Sequence, residues 1–254
     1  MLTPVSTTVE QYFQRIGITP PVARDAEGLV QLQRAHLFAV PFENLDIHMG
    51  RRIVLDETTI LDKIIASRRG GFCYELNTAF CWLLHRLGYR VDMLAANVFG
   101  DDTWGIDFDH MLLRVELDQP WILDVGFGDN FVDPLRLQQG LVQEQDVGAF
   151  RLDRDGPYWI LMRKNTDQSD FTAQYRFMPK EYALADFQPG CDYHQSPASH
   201  FTKATVCSLA RPEGRITLRS DRLIRTENGV KTESAIDNQD HWRAALREHF
   251  AIVL

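Results

Sequence analysis

Cysteine is scarce in this 254-residue chain: Cys73, Cys81, Cys191 and Cys207 are its whole complement, irregularly spaced and without a CxxC pair. That spacing rules out a disulfide framework and gives no sign of structural zinc. Long apolar runs are missing too; none approaches the roughly 20 residues needed to span a bilayer. The opening Met1-Leu2-Thr3-Pro4-Val5-Ser6 has neither the basic start nor the apolar stretch of a secretion signal. Positive charge is in deficit, with 27 Lys and Arg against 35 Asp and Glu and a net charge of −8. This balance leaves no footprint for nucleic acid or an anionic membrane surface. An anionic substrate would need a local basic patch, because the overall field opposes it. No P-loop, GxGxxG, internal repeat or low-complexity linker occurs. These absences describe a cytoplasmic chain with reduced thiols, long enough to bury a core without staples.

What is present changes character along the chain. Thr7-Thr8-Val9-Glu10 reads as a capping box with Thr7 as N-cap, and Val9, Tyr12, Phe13 and Ile16 follow at helical spacing until Gly17. Further helices are predicted over about 26–38 and 57–67. Another starts at Cys73, where Leu76, Phe80, Leu83, Leu84 and Leu87 recur on one face and Gly88 supplies the stop. From Arg90 the period becomes two, with strands predicted at Val91–Phe99, His110–Leu117, Trp121–Val125, Tyr158–Met162 and Ala173–Phe177. Beyond Gly190 come strands at Val206–Leu209, Ile216–Leu218 and Leu223–Arg225, a hairpin signal at Asn228-Gly229, and a last helix over 239–250. Trp242, Ala245, Leu246 and His249 share a face of that helix. Helices, then strands, then a mixed unit make an α+β arrangement, divided at 1–88, 89–189 and 190–254.

The stretch Arg68-Arg69-Gly70-Gly71-Phe72-Cys73-Tyr74-Glu75-Leu76-Asn77 is the most informative. Two glycines permit a sharp entry into a helix whose first turn holds Cys73. Unpaired N–H groups and the helix dipole favour an anion there, so the thiol pKa is expected to be lowered. The same N–H groups suit the oxyanion of a tetrahedral intermediate. A lone cysteine is otherwise a small buried hydrophobe. That reading is kept for Cys81 on the same helix, Cys191 in a loop and Cys207 in a strand.

A thiolate nucleophile needs a base, and the base needs an orienter. His36, His85, His241 and His249 fall on helices, and His48, His194 and His200 in polar loops. His110 instead opens the strand His110-Met-Leu-Leu-Arg-Val-Glu-Leu117, which a turn joins to Trp121-Ile-Leu-Asp124-Val-Gly126. Parity decides whether the two side chains meet. If Asp124 lies opposite Leu112 or Arg114 it shares a face with His110; a two-residue turn at Asp118-Gln119 would pair it with Leu113 and put it on the other. Pro120 disfavours the tight turn. A carboxylate inside Trp-Ile-Leu-Asp-Val is costly without a partner, and a buried Asp beside His is what an imidazolium orienter requires.

At this point the chain resembles the arylamine N-acetyltransferases. Arg69 to Asn77 is similar to that family's RGGxCxExN signature, and His36 to Asp46, with Val40-Pro41-Phe42-Glu43-Asn44-Leu45, to its VPFENL block. Glu10–Gly17, His110-Met111, Asp124-Val125-Gly126-Phe127-Gly128 and Ser196–Phe201 match other family segments in order. The resemblance implies a helical bundle, a β-barrel and a small α/β lid around a cysteine-protease-like core. It also implies a ping-pong acetyltransferase of xenobiotic metabolism using acetyl-CoA, with Cys73, His110 and Asp124 as a catalytic triad. The acceptor would be an arylamine, arylhydroxylamine or hydrazine, in a pocket walled by Phe42, Phe127 and Phe201. Gly126 and Gly128 would let backbone approach the CoA thiol arm, and Arg69 and Glu43 would form an ion pair behind the site. The alternatives are an amide synthase with another acyl donor and a transglutaminase-like or protease-like thiol enzyme.

Overall fold

The computed structural model describes residues 7–165 and 168–254; the opening segment Met1–Ser6, read above for leader features, lies outside them. No helix among the described residues is long and apolar enough to cross a membrane.

The first part is helical. Helix α1 spans Val9–Ile16 and α2 spans Ala26–Ala39, the latter capped by Asp25 accepting from the Gly28 N–H at 2.9 Å. The box at α1 is shifted one residue from the expected Thr7/Glu10 pair. Thr8 Oγ1 accepts from the Gln11 N–H at 3.3 Å, and Gln11 Oε1 accepts from the Thr8 N–H at 2.9 Å. Gln closes a box as well as Glu does, so adjacent threonines made the local signal degenerate. A short strand β1 (Phe42–Glu43) and helix α3 (Leu45–His48) follow. Helix α4 (Glu57–Leu61) runs into a π-turn over Asp62–Ala66, and α5 occupies Cys73–Arg86. Gly88 then takes a left-handed φ of 85°.

The middle of the chain makes a nearly closed sheet. Its strands are β2 (Arg90–Gly100), β3 (Thr103–Trp104), β4 (His110–Glu116), β5 (Pro120–Leu123) and β6 (Leu135–Arg136), then β7 (Gln143–Gln145), β8 (Gly148–Asp155), β9 (Tyr158–Lys164) and β10 (Thr172–Tyr182). They lie in the order β6-β5-β4-β2-β10-β9-β8-β7, with β3 against β2. Strand β8 escaped sequence reading because its alternation is short: Phe150 and Leu152, each fully buried, are its only large inward residues, and the exposed Arg154 stands at the next position on that face. The third part holds α6 (Gln188–His194), β11 (Val206–Arg211), β12 (Gly214–Arg219), β13 (Arg222–Glu227), β14 (Val230–Ala235) and α7 (Gln239–Phe250). The hairpin signal is accurate: Glu227 pairs with Val230 across Asn228 and Gly229, both at positive φ. Strand β14 is exposed along its whole length and so has no apolar alternation to read. Strand β1 joins this second sheet, Phe42 pairing with Ser208, which ties the helical part to the third.

Strands β4 and β5 are buried on both faces. Leu113, Val115, Trp121 and Leu123 pack on the helices with Tyr12, Phe80 and Leu83, while Leu112 and Ile122 join Leu94, Phe150 and Tyr175 inside the barrel. This two-sided burial explains why both strands read as continuous apolar runs. It also fixes α5 against β4, bringing Cys73 to the end of the strand where His110 lies.

His36 of α2 is fully buried, with Tyr12 Oη hydrogen-bonded to its Nδ1 at 2.8 Å. Burial, aided by Arg15, pushes its pKa down to about 3. Between that value and the unfolded value near 6.5 the unfolded chain binds a proton that the folded chain refuses. The stability from a neutral His36 is therefore fully present above about pH 6.5 and falls on acidification by roughly 1.4 kcal/mol per pH unit. Urea unfolding between pH 7 and 5 should show a shallower decline for His36→Gln than for the native chain.

Candidate active site

Cys73 is the first residue of α5 and is 4% exposed. Gly70 is required ahead of it because a Cβ there would lie 1.9 Å from the Pro41 carbonyl oxygen. The glycine is needed for close approach rather than for a left-handed turn. The helix start is capped from within: Glu75 Oε2 accepts from the Phe72 N–H at 3.1 Å. Burial pushes the Cys73 thiol well up, while a backbone hydrogen bond from Met111 pulls it down. The expected lowering by the helix end alone is therefore corrected. Desolvation of a thiolate in a dry pocket outweighs a partial dipole charge. Ionisation has to be coupled to protonation of a neighbouring base.

His110 is the candidate for that base. The β4–β5 register pairs Leu113 with Leu123 and Glu116 with Pro120, leaving a three-residue turn rather than the two-residue one. Continued by one residue, it sets Asp124 opposite Leu112 and on the face of His110. His110 Nε2 lies 2.7 Å from Asp124 Oδ2, and both side chains are buried. Asp124 acts as acceptor for Nε2–H, which leaves Nδ1 as the ring nitrogen with a lone pair. Asn77, one turn after Cys73 on α5, clamps the two strands. Its Nδ2 donates to the Met111 carbonyl at 2.7 Å and to Asp124 Oδ1 at 3.2 Å, and its Oδ1 accepts from the Val125 N–H at 3.1 Å. Gln33 of α2 accepts from the Asp124 N–H at 3.2 Å. Sequence reasoning quoted Asn77 only as part of a motif and gave Gln33 no role.

Cys73 and His110 line one cavity of about 400 Å³, together with Phe42, Phe127, Phe201 and Gly126. All three phenylalanines expected in the acceptor wall are brought together there. The Phe127 ring stands edge-on to the His110 ring at 5.2 Å, and Phe42 and Phe201 lie 6.0 Å apart. Gly128 does not line the cavity; its open side faces the Phe42 ring at 3.7 Å. Gly126 has a tighter constraint, since a Cβ on it would come within 2.6 Å of both Cys73 Cα and Asn77 Nδ2.

Behind the cavity the expected Arg69–Glu43 pair is present at 2.7 Å, but it belongs to a larger buried cluster. Lys63 Nζ lies 2.6 Å from Asp46 and 2.7 Å from Glu75, and Arg69 also reaches Asp46 at 3.2 Å. Burial pushes Lys63 down, yet Glu75, Glu43 and Asp46 outweigh it and hold the ammonium charged. The cluster thereby grips Glu75, the residue that caps the nucleophile's helix. Lys63 carried no sequence signal beyond its place in a helix.

Four residues assigned to loops are helical. Cys191 and His194 both lie in α6 and are buried. His48 and His200 likewise belong to short helical turns, in α3 and in a 3₁₀ turn at His200–Thr202. His194 Nε2 reaches the Asp109 carbonyl and Oδ1, both at 3.0 Å, while Nδ1 meets Ser199 Oγ at 3.2 Å. It joins the residue before His110 to the turn that carries Phe201. Cys81 and Cys207 are buried in the core as expected.

Gly126→Ala is expected to push the Asp124–Phe127 segment off the Cys73 helix. Overpacking of this kind costs about 1–3 kcal/mol. The variant should remain folded by circular dichroism while thiol alkylation and turnover slow by at least about tenfold. Native rates in a folded Gly126→Ala protein would show that this contact does not set the geometry.

Comparison with known proteins identifies the family. A family model described as N-acetyltransferase matches residues 25–254. The chain is 32% identical to the arylamine N-acetyltransferase pineal gland isozyme NAT-3 of Gallus gallus, covering 97% of this chain and 94% of that protein. It is 33% identical to the proansamycin X synthase of Amycolatopsis mediterranei, covering 94% of this chain and 95% of that protein. Among solved structures, the arylamine N-acetyltransferase of Mycobacterium marinum in complex with CoA superposes with a TM-score of 0.88 at 29% identity, covering 96% of this chain and 93% of that chain. The chain belongs to the arylamine N-acetyltransferase family and is an acyltransferase.

Proposed function

We propose that Cys73, His110 and Asp124 form a thiol–imidazole–carboxylate triad that moves the acetyl group of acetyl-CoA to an aromatic amine, arylhydroxylamine or hydrazine. The observation that carries this reading is the 2.7 Å contact between His110 Nε2 and Asp124, with the same histidine lining a cavity beside Cys73. Asp124 holds the Nε2–H tautomer, so Nδ1 is the atom able to accept the thiol proton. Cys73 Sγ then attacks the thioester carbonyl as that proton passes to His110, which returns it to the departing CoA sulfur. The acetyl group rests on Cys73. An acceptor amine lying between Phe42, Phe127 and Phe201 attacks it, the acetyl C–S bond breaks with the Cys73 sulfur leaving as thiolate, and His110 takes the proton that the amine sheds and returns it to that sulfur. Flat apolar walls suit an aromatic ring.

The three parts divide the work; the first boundary is kept at 88/89, and the second falls before α6, which begins at Gln188, rather than at 189/190. The first supplies the nucleophile, the second the base and its orienter, and the third Phe201 and the His194 tie. All four cysteines are free thiols, which fits a reducing cytoplasmic setting. The resemblance to proansamycin X synthase favours one other reading, an amide synthase in which Cys73 takes a larger acyl group. Saturation by acetyl-CoA at low concentration would count for the acetyltransferase.

The test is release of 4-nitrophenol from 4-nitrophenyl acetate with and without an aromatic amine. The amine should accelerate release, because it discharges the acetylated thiol. Cys73→Ala should fall to background and Asp124→Asn by about a thousandfold or more while staying folded. Indifference to the amine would point to a hydrolase. Near-native turnover in Asp124→Asn would show that the orienter is misassigned.

A further inference from the structure

The orienter and part of the acceptor wall lie on irregular backbone. Residues 124–134, between β5 and β6, form neither helix nor strand, yet they carry Asp124 and two residues of the cavity wall, Gly126 and Phe127. The β4–β5 ladder ends at the Leu113–Leu123 pair, so the Asp124 N–H has no strand partner. Backbone outside a ladder opens at lower free energy than a core strand does. The position of this loop therefore has to be set by side chains that reach it from other elements.

Gln33 of α2 is fully buried and reaches both ends of the loop. Its Oε1 accepts from the Asp124 N–H at 3.2 Å, and its Nε2 donates to the Val132 carbonyl at 2.9 Å. Turned over, the amide would set N–H against N–H and C=O against C=O, so each bond fixes the other. Among the described residues no other side chain hydrogen-bonds to both ends. Asn77 holds Asp124 and Val125, Gln145 holds Val132 and Asp133, and Arg34 holds Asp133. The Arg34–Asp133 pair is partly exposed, at 47% and 24%, and is a weak anchor for that reason. The two Gln33 bonds are shielded from water, where an N–H or carbonyl left unpaired is costly.

We infer that Gln33 is a positioning residue for the reaction. By holding residues 124 and 132 on one amide, it keeps the Asp124 carboxylate in line with His110 Nε2 and Phe127 at the cavity wall. This rests on the triad reading of Cys73, His110 and Asp124. Gln33 does not line the catalytic cavity, so it acts through Asp124 and not on the substrate. Displacing a catalytic group by about 1 Å slows a reaction by about a hundredfold, which sets the scale of the effect.

The test measures single-turnover acetylation of Cys73 by 4-nitrophenyl acetate in the full chain, with folding checked by circular dichroism. Gln33→Leu removes both hydrogen bonds at similar volume and should slow acetylation by roughly ten- to a hundredfold. In an Asp124→Asn background the same substitution should cost less than about twofold, because the carboxylate it positions is already gone. A role confined to stability would instead leave the two losses independent. Should Gln33→Leu fold poorly, Gln33→Glu decides. Protonated, the new carboxyl accepts from the Asp124 N–H and donates to the Val132 carbonyl as the amide does; ionised, it can only accept. Burial disfavours the ionised form, so the rate of Gln33→Glu relative to the native chain should be near one in acid. It should then fall at least about tenfold as pH rises through the ionisation of that carboxyl. Native acetylation by folded Gln33→Leu, an undiminished loss in the Asp124→Asn background, or a pH-independent ratio for Gln33→Glu overturns the inference. If Asp124→Asn is itself slow in such a case, only the role of Gln33 fails. Native acetylation by Asp124→Asn overturns the triad reading and this inference with it.

Discussion

The hydrogen bond between Asp124 and His110 is the contact on which the rest of the site depends. A carboxylate at that depth is tolerable only because its oxygens are occupied: Oδ2 by His110, and Oδ1 by Asn77 and the Gly126 N–H at 2.9 Å. Each donor comes from a different piece of the fold, namely β4, α5 and the segment after β5. Satisfying one carboxylate therefore aligns His110 with the helix that carries Cys73. Because β4 and β5 are buried on both faces, a one-residue slip of register would invert two cores at once. The geometry is held by packing as much as by the hydrogen bonds.

The nucleophile is governed by the same economy of buried charge. Cys73 sits too deep for the helix end alone to ionise it, so in the proposed triad the thiolate depends on His110 taking the proton. Behind it, Lys63 and Arg69 pair with Glu43, Asp46 and Glu75 in a largely buried cluster. Removing either cation would strand a buried carboxylate, which is far costlier than the intact network. The network's benefit at the site is positional. Glu75 is pinned where it caps the Phe72 N–H, and the first turn of α5 is thereby fixed.

Much of this was legible in the sequence where a single period governs a segment. Helix α7 and the Asn228-Gly229 turn follow local rules, and the parity argument for His110 and Asp124 needed only the turn length. What stayed hidden depends on tertiary partners. Gln33 is an ordinary polar residue on a helix until Asp124 arrives beneath it. Lys63 looks solvated until α4 folds onto Glu75. His194 and Cys191 read as loop because α6 has seven residues and includes Pro189 and Gly190. The Cys73 thiol was misjudged for a related reason: a helix dipole is visible in sequence, whereas the loss of water around the sulfur is not.

The central claim is that the sulfur of Cys73 accepts the acetyl group directly. Mass spectrometry of the intact protein after exposure to acetyl-CoA alone, followed by peptide mapping, tests it without any acceptor or chromogenic reporter. The account requires one added acetyl group, located on Cys73 and discharged when an aromatic amine is supplied. An acetyl group on any other residue, or an unmodified Cys73 in protein that consumes acetyl-CoA, would contradict it.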